Sequence, residues 1–140
     1  MTKKVKNVSI ICFHDELCQV YNALVTALSL MREGCKVTMF FGSRGVNAVH
    51  NEKVKHLKCL PDQPKKEGEA VMTMMEDMDL PSVEDLFFML ITEGGTVLAC
   101  NLNVALFKIP PKQLIDGVKV VCPAKFYKET VIHSDMNLTF

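Results

Sequence analysis

The chain has 140 residues, 49% of them hydrophobic and 23% charged, which is the size and make-up of one compact domain with its own core. Sixteen basic residues balance sixteen acidic ones, and the basic residues are not interleaved with aromatics, so no nucleic-acid partner is expected. No apolar run approaches the roughly 20 residues of a membrane-spanning helix, and the run at 8–13 meets His14-Asp15-Glu16 before it is long enough for a signal-peptide core, so a soluble, cytoplasmic chain without a transmembrane segment is expected.

Residues 8–13 (VSIICF) are a continuous β-branched and apolar run, the pattern of a strand covered on both faces. Asp15 is placed to cap the helix that follows, in which Leu17, Val20, Tyr21, Leu24, Leu28 and Met31 recur at helical spacing up to a terminating Gly34. A second buried strand, 36–41 (KVTMFF), runs into Gly42-Ser43-Arg44-Gly45. Strand, helix and strand over this length imply a parallel pair with a right-handed crossover.

Residues from about 51 to 68 carry lysines, Pro61 and Pro64 with little periodicity and read as a mobile connection within a single domain spanning 1–140. In the methionine-rich stretch beyond it, Val71, Met74, Met75 and Met78 share one helical face that suits an adaptable cover. Thioethers also bind Cu(I), but methionine at helical spacing is more often core filler, and no metal is expected.

Ser82 and Asp85 form a capping box for a helix whose apolar face (Val83, Leu86, Phe87, Leu90, Ile91) stops at Gly94-Gly95. A third buried strand covers 96–100 and a fourth 118–122. Between them the sequence predicts a helical turn at 103–107 and a helix opened by Pro111. Pro123 opens a final helix, and the tail 133–140 (HSDMNLTF) has no clear pattern. The order of elements gives an α/β fold, with no internal repeat.

Parallel α/β sheets bind ligands beyond the carboxyl ends of their strands. Here that edge comprises 12–15, 42–45, 100–103 and 122–123. Of six cysteines (Cys12, Cys18, Cys35, Cys59, Cys100 and Cys122), none forms a CxxC or zinc-finger spacing, and in a reducing compartment they are expected as free thiols.

Cys100 stands out because it ends a strand just before a helical turn, where backbone N–H groups and the helix dipole favour a thiolate. The same pocket would hold a persulfide, whose outer sulfur moves by thiol–disulfide exchange chemistry. The alternative is a packed strand residue.

Asn101 and Asn103 can add neutral donors, and His14 can act as a base or donor to the thiolate. Asp15 shares this rim. Arg44 can pair with an oxyanion such as a sulfonate or phosphate. Cys122 is a possible resolving thiol, with a buried strand residue as its alternative. Gly42–Gly45 lacks the Gly-Lys-Ser/Thr ending of a phosphate loop, and no hydrolase elbow or metalloprotease motif is present.

The succession VSIICF, KVTMFFGSRGVN, a methionine-rich segment, LPSVEDLFFML and TVLACNLNVALFKIPPKQLIDGVKVV resembles the DsrE/DsrF-like sulfur-relay family, in particular its small branch often labelled peroxiredoxin-like. The likeness runs over roughly residues 5–127, and the strand-terminal cysteine, PSVEDL and LIDGV carry it. The resemblance implies a three-layer α/β/α sandwich with a mainly parallel sheet of four to five strands, assembled as a homotrimer or homohexamer; no cofactor is expected.

It further implies a sulfur carrier or sulfurtransferase that holds sulfane sulfur on Cys100 between sulfur-donor and sulfur-acceptor proteins. Two alternatives stay open: a thiol-redox enzyme pairing Cys100 with Cys122, and a non-enzymatic anion-binding or assembly module.

Overall fold

The computed structural model describes residues 4–60 and 62–140. Pro61, one of the two prolines of the 51–68 connection, lies outside them. The described residues form a five-stranded sheet in the order β4-β3-β2-β1-β5, parallel throughout, from β1 (Asn7–Cys12), β2 (Lys36–Phe41), β3 (Thr96–Cys100), β4 (Lys119–Val121) and β5 (Met136–Thr139). The helices are α1 (Leu17–Arg32), α2 (Lys65–Asp77), α3 (Val83–Thr92), α4 (Asn101–Leu106) and α5 (Pro123–Glu129).

Because successive strand residues point to opposite faces, each central strand divides its side chains between two cores. Val8, Ile10 and Cys12 of β1, Val37, Met39 and Phe41 of β2, and Val97 and Ala99 of β3 join the large core, which the buried faces of α1 and α3 close. The intervening Ile11, Phe40 and Cys100 point the other way and pack with Phe126 of α5, whose ring stacks on Phe40 at 4.4 Å. The result is the three-layer α/β/α sandwich. Its second outer layer is thin, since α5 is only seven residues long.

Most strands and helices follow the sequence pattern. Gly34 takes φ +93° just after α1, and the Ser82–Asp85 capping box forms with both reciprocal hydrogen bonds. Several expectations need correction.

Asp15 does not cap α1. Glu16 is the N-cap residue and makes no side-chain capping bond, because Asp15 accepts instead from Asn47 Nδ2 at 3.0 Å. The strand at 118–122 shrinks to β4, which is an exposed edge, since among the described residues only β3 borders it. The segment opened by Pro111 is one 3-10 turn, Pro111–Gln113, and the turn expected at 103–107 begins earlier, as α4.

The methionine face is likewise reversed. Val71, Met74 and Met78 are exposed, and α2 meets the body through Gly68 and Met72. Within the 51–68 segment the 3-10 helix Lys53–His56 and the buried Val54 and Leu57 join the large core.

The unassigned tail supplies β5. Its entry is fixed by Asp135, whose Oδ2 accepts the backbone N–H groups of Lys6 and Asn7, both at 2.9 Å. Ser9 then bonds Ser134 and Asn137 on the same face.

Candidate functional site

All five strands run in one direction, so their carboxyl ends form a single rim, as expected for a ligand edge. Cys100 is the last residue of β3 and the N-cap residue of α4. The unpaired N–H groups that open a helix therefore lie immediately beyond it. Strand alternation sends its side chain to the α5 side, among Ile11, Phe40 and Phe126, and it is only 3% exposed.

The two asparagines differ. Asn101 is exposed, whereas Asn103 Oδ1 accepts the Ser43 backbone N–H at 2.8 Å. Ser43 sits at φ +49°, a left-handed conformation unusual for a residue with a side chain, and Asn103 helps hold it there. Asn103 thus ties the loop after β2 to the helix after β3.

Cys122 is exposed and is the N-cap residue of α5. Cys100 pairs with Val121 in the β3–β4 register, and Val121 packs on the same small core as Cys100. Cys122, next along an extended backbone, is directed to the opposite face of the pleat. The register does not favour a direct Cys100–Cys122 bond.

His14, Asp15 and Arg44 do come together, with a residue the sequence reading passed over. Arg44 Nη2 donates to Glu16 Oε1 at 2.6 Å, lies 3.3 Å from His14 Nδ1, and places its Nε 4.0 Å from Asp15 Oδ1. Asn47 bridges Asp15 to Lys53, accepting from Lys53 Nζ at 3.2 Å.

The Glu16 side chain is only 7% exposed, while that of Arg44 is 41% exposed. Burial of a carboxylate requires a close partner, and Arg44 is that partner. Among the described residues the second Glu16 oxygen has no hydrogen bond, although His14 Nδ1 approaches it at 3.4 Å. The guanidinium offered by sequence to an external oxyanion is thus already engaged by a carboxylate of its own chain.

Glu16, Asp15, Arg44, Asn47, Lys53 and Lys58 contribute to the wall of an open cavity of about 480 Å³. None of the hydrogen bonds or ion pairs of this cluster reaches Cys100 among the described residues. A signal for Glu16 did exist, as an acidic residue directly before an apolar helix with an arginine in the next strand-end loop. Only the fold shows that they meet.

The remaining thiols divide by environment. Burial pushes the Cys12 thiol far above its ordinary value, so it stays protonated and unreactive. Cys59 is also pushed up, by burial and then by the neighbouring Cys18 and Glu67. Cys35 donates to the Val5 carbonyl. Among the described residues, no group of three or more His, Cys, Asp or Glu side chains is arranged to hold a metal, and no helix is long and apolar enough to cross a membrane.

Two solved structures share this architecture. The YchN protein from E. coli is 19% identical with a TM-score of 0.67, over 98% of this chain and 100% of that one. MTH1491 from Methanobacterium thermoautotrophicum is 13% identical with a TM-score of 0.69, over 96% of this chain and 99% of that one. At such identities the likeness is one of fold. No curated protein matches the sequence. The model of the DsrE/DsrF/DrsH-like family matches residues 62–139, more than half of the chain and the part that contains β3, Cys100 and α4, and the chain belongs to that family.

Proposed function

We propose that the protein is a sulfur carrier or sulfurtransferase that holds sulfane sulfur as a persulfide on Cys100 and relays it to a partner thiol. Family membership supports a sulfur-relay type of role. The observation that carries the assignment to Cys100 is its position at the carboxyl end of β3 as the N-cap residue of α4. The backbone N–H groups that open α4 lie immediately beyond Cys100 and can donate to a sulfur anion carried there.

In the loading step the Cys100 thiolate attacks the outer sulfur of a donor persulfide, R–S–SH. A bond forms between Cys100 Sγ and that sulfur, the donor S–S bond breaks, and the donor leaves as the thiolate RS⁻. In the second step an acceptor thiolate attacks the outer sulfur in the same way and Cys100 leaves as thiolate. Neither step consumes an external electron.

At 3% exposure, Cys100 has to be uncovered for either transfer. Leu102 and Leu106, four residues apart on α4 directly after the thiol, are 65% and 71% exposed. Their apolar face suits docking of another protein surface there, including a further copy of the chain in a homotrimer or homohexamer.

Incubation with inorganic polysulfide followed by intact-mass measurement tests the proposal. Wild-type protein is expected to gain sulfur removable by a small thiol, and Cys100→Ser to gain none. Sulfur that persists on Cys100→Ser, or its absence from wild type, would overturn the assignment.

A further inference from the structure

Cys18 and Cys59 lie 41 positions apart in sequence and belong to different elements, the first turn of α1 and the segment that leads into α2. The Leu17 backbone N–H donates to the Lys58 carbonyl at 2.6 Å, so the residues directly before the two cysteines are joined. Cys18 is exposed and Cys59 is half-buried, its Sγ donating to the Glu67 carbonyl at 3.8 Å. Both are free thiols. The other four cysteines are placed elsewhere: Cys12 and Cys100 are buried, Cys35 precedes β2 at the amino edge of the sheet, and Cys122 follows β4 as the N-cap residue of α5.

We infer that Cys18 and Cys59 are a second thiol site, a dithiol that a small disulfide converts to an intramolecular disulfide. A disulfide needs Cα atoms about 4.4–6.8 Å apart; the Leu17–Lys58 hydrogen bond brings the two backbone stretches together, and the two thiols are close enough to influence each other electrostatically. The exposed Cys18 reacts first. Its thiolate attacks one sulfur of a small disulfide RSSR, forming Cys18–S–S–R and releasing RS⁻. Cys59 then loses its proton and displaces the second RS⁻, forming the Cys18–Cys59 bond.

Overall one S–S bond breaks and one forms, RSSR is reduced by two electrons, and the two thiol protons pass to two RSH. Burial chiefly, and then Cys18 and Glu67, push the Cys59 thiol up; the Cys18 contribution is removed once Cys18 is in the mixed disulfide. Closure would fix Leu57 and Lys58 against Glu16 and Leu17. Glu16, Leu57 and Lys58 all line the cavity that holds the Arg44 cluster, so the bond would form beside that wall.

The folded protein treated with oxidised glutathione, then digested without reductant and analysed by mass spectrometry, tests this. The expected product is a linked peptide pair carrying Cys18 and Cys59, with the intact chain lighter by two hydrogens. Cys59→Ser should instead retain one glutathione on Cys18. Cys18→Ser should leave Cys59 largely unmodified. Cys100→Ser should give the same linked pair as wild type, so the result is independent of the sulfur-carrier reading. A stable glutathione adduct on wild-type Cys18, or a cross-link of Cys18 to any other cysteine, would overturn the inference.

Discussion

Glu16 and Arg44 are 28 residues apart in the chain and meet at 2.6 Å, the shortest ion pair among the described residues. Removing the arginine leaves a buried carboxylate without its cation, a change that typically costs about 3–5 kcal/mol when both partners are buried. Arg44 is half-exposed, and water can partly replace it, so Arg44→Ala is expected to lose about 2 kcal/mol in urea unfolding.

Adding Glu16→Gln to that variant removes the orphaned charge and should recover part of the loss. A double variant no more stable than Arg44→Ala would show that the pair matters through packing instead. Both residues were visible in the sequence as charged loop residues. Their pairing was not, because nothing local links the end of β1 to the end of β2 until the strands register with Cys12 opposite Phe41.

At the level of elements, α2 shows how a helix can be read correctly and oriented wrongly. Its spacing of Val71, Met74, Met75 and Met78 predicts an inward face, but contact is set by Gly68, where a Cβ would stand 1.9 Å from the Leu57 carbonyl oxygen. Only a residue without a side chain lets the helix backbone come this close.

Glycine to alanine in an exposed helix normally stabilises by about 1 kcal/mol through propensity. Gly68→Ala is expected to do the opposite, losing about 1–2 kcal/mol and speeding amide exchange along α2 while β1 and β2 keep their protection. A stabilised variant would mean that α2 is not seated by this contact. The tail was illegible for a related reason. β5 is four residues long with alternate residues exposed, and it is a strand only because the edge of β1 is there to pair with it.

Across the whole molecule, the two faces of the sheet are unequally covered. α1 and α3 close the large core, while Cys100 shares the small one chiefly with Ile11, Phe40 and Phe126. The exposed Leu102 and Leu106, on α4 directly after Cys100, support the homo-oligomer proposed above. If they lie in its interface, Leu102→Asp with Leu106→Asp should lower the mass seen by light scattering to that of a smaller species, with secondary structure by circular dichroism retained. An unchanged assembly would remove α4 from the interface.

What the sequence determined by itself was set by short-range physics. The runs VSIICF, KVTMFF and TVLAC, the helical period of α1 and α3, the Ser82 cap and the Gly34 stop are local signals, and they suffice to give an α/β order of elements with Cys100 at a strand's carboxyl end. Only the tertiary structure decided which face Cys100 presents and how deeply it is covered. It also decided that Arg44 answers Glu16 and that Cys18 stands beside Cys59. Each of these depends on sheet order, register and the closing of long loops, which bring together residues whose local patterns carry no information about one another.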